Sequence, residues 1–278
     1  MIAKIPLGSW IETFIGFLED NFEVVTEAFA DVVGQLMIWF QQGMLFLPYW
    51  LVIPLIALLA WRVAGKGVAL FSILGLLLIV NLRMWPETVA TISMVLAATI
   101  ISMVIGLPLG IWSSRNDTVH KIVTPVLDVM QTMPAFVYLI PVIPFFGLGN
   151  VPAVMATVVF SMPPVIRLTN LGIRQVPKEL IEASEAFGST PRQKLYKVQL
   201  PLALPTIMAG VNQTIMLSLS MVVIAAMIGA KGLGELVWSA IQRLQTGNGF
   251  EAGLGVVIVA VVLDRITQKV GRKNKKEE

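Results

Sequence analysis

The chain has 278 residues, 56% of them hydrophobic and 13% charged, with a mean hydropathy of +0.81, whereas soluble domains carry roughly 25% charged residues. A fold of this size cannot hide so much apolar side chain from water, so the composition excludes a water-soluble enzyme and makes lipid the missing solvent. Cysteine is absent, His120 is the single histidine and the net charge is only +3, which removes thiolate metal sites, disulfides and Cys/His nucleophile pairs and gives no ground for nucleic-acid binding.

The first 43 residues are acidic. Glu12, Glu19, Asp20, Glu23, Glu27 and Asp31 fall in a stretch with no base, while Phe14, Phe17, Leu18, Val25, Phe29, Val32 and Leu36 recur at helical spacing. This pattern predicts an amphipathic helix lying on the outer membrane surface or on a neighbouring subunit. No cleavable signal region or lipidation motif is visible.

Seven apolar stretches follow, and a membrane helix needs about 20 mostly apolar residues. Met44 to Trp61 and Gly67 to Leu82 are charge-free but slightly short, which tilt or local thinning accommodates. Thr88 to Ser114 spans comfortably. Val129 to Ile166 is too long for one helix, and Gly147-Leu148-Gly149-Asn150 before Pro152 predicts a tight turn that divides it into two. Val198 to Ala230 makes the sixth span and Ala252 to Leu263, with Gln268 and Lys269 able to snorkel, the seventh.

The bases orient this set. Alternating spans place Arg62, Lys66, Arg115, Lys121, Arg167, Arg174, Lys178, Arg192, Lys194, Lys197, Arg265, Lys269, Arg272, Lys273, Lys275 and Lys276 on one side, which is 16 of the 20 basic residues. Lys4, Arg83, Lys231 and Arg243 fall on the other. By the positive-inside rule the C-terminus is cytoplasmic and the N-terminus outside. The span centres lack ionisable residues, which counts against an ion-coupled carrier though not against a passive channel, and no paired carboxylate or Ser/His cluster suggests a membrane enzyme.

Within the spans, Gly106 and Gly110 around Pro108 predict close helix approach or a kink. Asn212 and Gln213 are expected to hydrogen-bond between helices or at a dimer interface. Asp128, near a span end, reads as a solvated or capped carboxylate, and His120 as an exposed loop residue.

The loop between the fifth and sixth spans, residues 171–201, has structure of its own. Lys178 to Phe187 predicts a short amphipathic helix that begins at Pro177 and stops at Gly188, a favoured residue just past a helix end. Thr190-Pro191-Arg192-Gln193 predicts a second helix with a capping box. Two short helices joined at a glycine, with small residues Ala183, Ser184 and Ala186, form either a knob that a partner can approach closely or a surface loop capping the bundle.

Glu182-Ala183-Ser184, Gly188, Val198 and Leu200-Pro201 together resemble the EAA loop of the membrane subunits of ABC importers, with Ser184 where that pattern more often has alanine and Val198 where it has isoleucine. The resemblance implies an all-α integral membrane protein of about seven transmembrane helices with a type I ABC-importer permease core. It implies that Glu182, Ala183, Ser184 and Glu185 lie on the helix that docks on an ATP-hydrolysing subunit, that Gly188 makes the elbow and that Pro201 begins the following span. The chain has no Walker A pattern of its own. No cofactor or metal is expected on it, and ATP and magnesium would belong to the partner.

Pro125 to Pro134 with Phe136-Val137-Tyr138, and Leu217 to Gly234, resemble the permeases that import glycine betaine, proline betaine and related compatible solutes. That implies osmoprotective uptake, with choline, carnitine and proline as alternative solutes. The domains expected are an extracytoplasmic segment 1–43, two additional spans over 44–87, a permease core 88–270 and a cytoplasmic basic tail 271–278. The partners implied are two ATPase copies, a second permease subunit expected to be identical, and an extracytoplasmic binding protein. Met130, Met133, Ser218, Ser220, Met221 and Met227 are candidates to line the solute path, against the plainer reading that Met and Ser in membrane helices mediate helix contacts.

Overall fold

The computed structural model describes residues 6–270, in which every element is helical. The basic tail and Lys4 lie outside the described residues.

α1 (Leu7–Phe46) is a single helix of 40 residues. It is longer than the acidic segment alone suggests, and it takes in Met44, so the span expected from Met44 begins only after the turn at Leu47-Pro48. There the chain bends by 105° into α2 (Tyr49–Ala64). Val33 and Met37 are the buried residues of α1, and the Met37 carbonyl accepts a hydrogen bond of 3.2 Å from Ser93 Oγ. The expected apolar stripe sits beside that buried face: Phe14, Phe17, Val25, Phe29, Val32 and Leu36 remain exposed on this chain.

α2 and α3 (Lys66–Asn81) form a tight hairpin at Gly65, whose φ of +100° few side chains tolerate. α4 (Trp85–Arg115) is the straightest match to a predicted span. Asn116 then caps α5 (Asp117–Thr132), its side chain accepting from the Thr118 and Val119 amides.

The sequence reading fails at α5. The stretch expected to be one helix from Val129 breaks at Met133, where the chain turns by 111° through a 3₁₀ turn, Ala135–Tyr138, into α6 (Leu139–Phe146). Pro134 is the cause, because it lacks an amide hydrogen and drives the preceding residue out of the helical region; Met133 has ψ of 135°. The break predicted at Gly147-Asn150 is present, with Gly147 and Gly149 at φ of +70° and +119°.

α7 (Asn150–Ser161) and α8 (Pro163–Arg174) together make a membrane-length helix of 25 residues. It continues two turns past Ile166, carrying Arg167 and Arg174 on a helix where a loop is the simpler expectation. After α9 (Lys178–Ala186) and α10 (Pro191–Lys194), a π-turn at Leu195–Gln199 runs into α11 (Leu200–Ile224) and a 3₁₀ end at Ala225–Ile228. The π-turn precedes Pro201, which cannot donate to the helix ladder and crowds the carbonyl four residues back. α12 (Leu233–Gln242) fills what reads as a loop, and α13 (Thr246–Val270) extends the short seventh span to 25 residues.

α4, α8 and α11 pack side by side as the centre of the molecule. Lipid offers no hydrophobic drive between helices, so close approach and polar contacts must hold them. A Cβ on Gly106 would lie 2.5 Å from Val165 Cγ1, and one on Gly110 would lie 2.7 Å from Thr169 Cβ and 2.8 Å from the Ile166 carbonyl oxygen. The GxxxG pair therefore faces α8. A buried hydroxyl ladder joins α4 and α11 through the end of α7: Ser218 on α11 donates to Ser161 at 2.9 Å, and Ser161 lies 3.4 Å from Ser102 on α4.

Gly110→Leu should overpack this contact at a cost of about 1–3 kcal/mol, lowering the unfolding midpoint in detergent titrated with dodecyl sulfate. Gly43→Ala, where a Cβ meets nothing within 4 Å, should leave the midpoint unchanged or slightly raised.

Candidate functional site

The loop between α8 and α11 is built as two capped helices. α9 ends in a Schellman motif: the Gly188 amide donates to the Glu185 carbonyl at 2.9 Å and the Ser189 amide to the Ser184 carbonyl at 3.0 Å. Gly188 sits at φ of +75°, the left-handed conformation that this motif requires. Thr190 and Gln193 then make both bonds of the expected capping box, Thr190 N to Gln193 Oε1 at 2.8 Å and Gln193 N to Thr190 Oγ1 at 3.3 Å. No residue of α9 is buried, so the helix stands clear of the bundle.

Its attachment is specific. Lys194 pairs with Glu185, tying the second helix to the first. Leu195 is buried among Ile173, Ala203 and Ile207, a small core of its own between α8 and α11. Because α10, the π-turn and α11 form one continuous 38-residue helix, displacement of the loop is carried directly into α11. Pro201 lies in the first turn of α11, which the π-turn joins to α10 without a break.

The predicted loop residues fall on this projection. Glu182 and Ala183 are exposed, Ser184 is half-buried with its hydroxyl donating to the Ile181 carbonyl at 2.9 Å, and Glu185 is held by Lys194. Sequence reasoning passed over Phe187, which is 91% exposed at the elbow, and Tyr196, 66% exposed beside it. A bulky aromatic immediately before a helix-terminating glycine was the available signal.

The six path candidates separate. Ser218 and Met221 are fully buried against helices of this chain, Ser218 within the hydroxyl ladder. Met133 is half-buried at the α5–α6 bend and packs on the core. Met130 is half-buried, its carbonyl accepting from the Tyr138 hydroxyl. Ser220 and Met227 are exposed, and with Leu202, Pro205, Ala209 and Gln213 they mark one uncovered face of α11. Asn212 points the other way and joins α11 to α13, donating to Asp264 Oδ1 at 3.1 Å and accepting from Thr267.

A second polar constellation crosses from α5 to α8. Asp128, expected to be solvated or capped, pairs with Arg167 at 2.7 Å, and Asp117 pairs with Arg174 at 2.7 Å. His120 is not a free loop residue: its Nδ1 lies 3.3 Å from both Thr124 Oγ1 and Asn170 Nδ2. The Arg174 guanidinium holds the Asp117 carboxyl below the usual carboxylate range, first through its hydrogen bond and then through its charge. The pair's contribution is therefore complete above that range and is lost only as pH falls through the lowered value. The signal in sequence was two matching stripes, Asp117/His120/Asp128 on one helix and Arg167/Asn170/Arg174 on the other, each on a single helical face.

Residues 106–275 match the family described as binding-protein-dependent transport system inner membrane component. The chain belongs to that family. It is 52% identical over 274 residues to the glycine betaine transport system permease protein OpuAB of Bacillus subtilis (strain 168), covering 99% of this chain and 97% of that protein. It is 51% identical over 280 residues to the glycine betaine/carnitine transport permease protein GbuB of Listeria monocytogenes serotype 1/2a (strain 10403S), covering 99% of each. Its fold is similar to an inward-facing structure of the MetNI methionine ABC transporter, with a TM-score of 0.64 and 23% identity over 69% of this chain and 95% of that one. Membership fixes a multi-pass inner-membrane permease subunit with the ABC-importer permease fold.

Thr190→Ala should remove the capping box at a cost of about 1 kcal/mol. Hydrogen exchange at the Gln193 amide should accelerate about fivefold, with exchange in the centre of α11 unchanged.

Proposed function

We propose that this chain is the permease subunit of an ATP-driven importer for glycine betaine or a closely related quaternary-ammonium solute. The observation that carries the reading is the projecting α9–α10 loop, joined without a break to the 38-residue helix that contains α11, in a chain about half identical, end to end, to glycine betaine permeases. A rigid, capped helix pair transmits force where a flexible loop absorbs it.

In this reading α9 inserts into a cleft of a separate ATPase, which binds ATP and magnesium. Glu182, Ala183 and Ser184 form the docking face, Phe187 and Tyr196 bury apolar surface against the partner, and Glu185 braces the elbow through Lys194. Gly188 allows the turn. Two permease subunits, copies of this chain, would face each other above two ATPases, and a binding protein would deliver solute from outside.

The uncovered face of α11, marked by Ser220 and Met227, would form one wall of the path, with Met130 and Met133 at the α5–α6 bend. A quaternary ammonium is bulky and weakly hydrated, so a soft, uncharged wall lets it pass without a fixed counter-charge. The topology supported by the bases has seven spans, the first 43 residues and the N-terminus outside, two additional spans over 44–87, the core 88–270 and the basic tail 271–278 in the cytoplasm. Choline, carnitine and proline are the competing solutes.

The test is uptake of labelled glycine betaine, choline and proline by vesicles holding the complete complex. Glycine betaine uptake that requires ATP, the ATPase and the binding protein is expected; transport by this chain alone under an ion gradient would refute the reading. Glu182→Lys and Gly188→Asp should each reduce uptake at least tenfold with the protein still present in the membrane, and normal uptake in both removes the coupling assignment.

A further inference from the structure

The end of α8 holds more than one contact. Arg174 stands four residues before the start of α9, with only Gln175, Val176 and Pro177 between. One terminal guanidinium nitrogen of Arg174 donates both to the Ser113 carbonyl at 3.0 Å and to Asp117 Oδ1 at 2.7 Å. Ser113 lies in the last turn of α4, where carbonyls lack helical partners, and Asp117 lies in the first turn of α5. A single side chain thus joins the C-terminal end of one helix to the first turn of the next, and the partial negative charge of the α4 end together with the Asp117 carboxylate favours a cation there.

One turn back along the same face of α8, Asn170 donates to Ser113 Oγ at 2.7 Å and faces His120. A further turn back, Arg167 pairs with Asp128. Residues 167, 170 and 174 on α8 therefore meet 128, 120 and 117 on α5 in antiparallel order. Beside these contacts lies a small, mostly apolar cavity of about 80 Å³, where Val123, Leu127 and Ile166 meet Ser113, His120 and Asn170.

We propose that Arg174 is a positioning residue of the transport cycle: it fastens α9 to the α4–α5 corner, so that movement of the docking helix swings α5, and with it the Met133-Pro134 bend, together with α11. This rests on the coupling role proposed above for α9. The loop then has two outlets into the bundle, a covalent one through α11 and a hydrogen-bonded one through α8 and Arg174. The second reaches α5 directly, through the side chains of α8.

The experiment compares ATP hydrolysed with solute accumulated, using the complete complex in proteoliposomes. Arg174→Ala should leave stimulated ATP hydrolysis within about twofold of wild type while uptake falls at least tenfold, raising the ratio of ATP spent to solute moved. Arg174→Lys, which keeps the charge but loses the shared donor geometry, should fall between. Exchange of the partners in Asp117→Arg/Arg174→Asp should recover a substantial part of the coupling, which a merely structural loss would not allow. Should Arg174→Ala fail to accumulate, Asp117→Ala removes the bond to α5 from its exposed side and should show the same raised ratio.

A wild-type ratio in Arg174→Ala or Asp117→Ala, or an exchange variant no better than Arg174→Ala, overturns the proposal. Glu182→Lys in the same assay separates the two readings. If it too keeps the wild-type ratio, the coupling role of α9 has failed; if it uncouples while Arg174→Ala does not, only the clasp has failed.

Discussion

Close approach of α8 to α4 and α11 is the constraint on which the rest of the structure depends. In lipid, apolar side chains gain nothing by leaving one apolar surface for another, so helices associate where backbones can come near and polar groups can meet. Gly106 and Gly110 leave room for Val165 and Thr169, and the Ser102 and Ser218 hydroxyls link α4 and α11 through Ser161 at the end of α7, just before α8 begins. A rigid central trio results. The exposed elements, α9 and α10 on one side and the uncovered face of α11 on another, are positioned by it.

This packing also anchors the loop to the bundle. α8 enters it and α11 leaves it, and Leu195 with Ile173, Ala203 and Ile207 fastens its base to both. The π-turn before Pro201 is an irregularity near the start of the exit helix. It lies between the projecting part and the spanning part, where a local change of helical winding can be absorbed without breaking the rod. On the other flank the ionic contacts between α5 and α8 secure a helix that Pro134 has already detached from its own continuation.

The same principle sorts the polar residues of the spans. Membrane interiors penalise any polar group without a partner, and most of those seen here are matched within the chain: Asn212 to Asp264 and Thr267, Thr91 to the Leu233 amide at 2.8 Å, Asn170 to Ser113. Ser218, a candidate for the solute path by residue type, belongs to this structural group. Ser220, two residues away, points to the uncovered face, a difference of about 200° around the helix that residue type alone does not convey.

The sequence by itself determined the solvent, most of the helices, the breaks at Gly147-Asn150 and Gly188, and the two-helix loop with its caps, because each depends on composition or on residues within about four positions of one another. It also carried the family, through a motif whose spacing is local. Only the tertiary structure decided which face of each helix is covered, that α1 packs through Val33 and Met37 beside its apolar stripe, that α12 folds back onto the bundle, and that Asp117, His120 and Asp128 meet partners some 40 to 60 residues away. Those outcomes depend on which helices become neighbours, and helix periodicity fixes faces but not neighbours. The bend at Met133-Pro134 lay between the two cases: the proline was legible, but whether a membrane helix kinks or breaks at proline is settled by what its freed groups and flanking turns pack against.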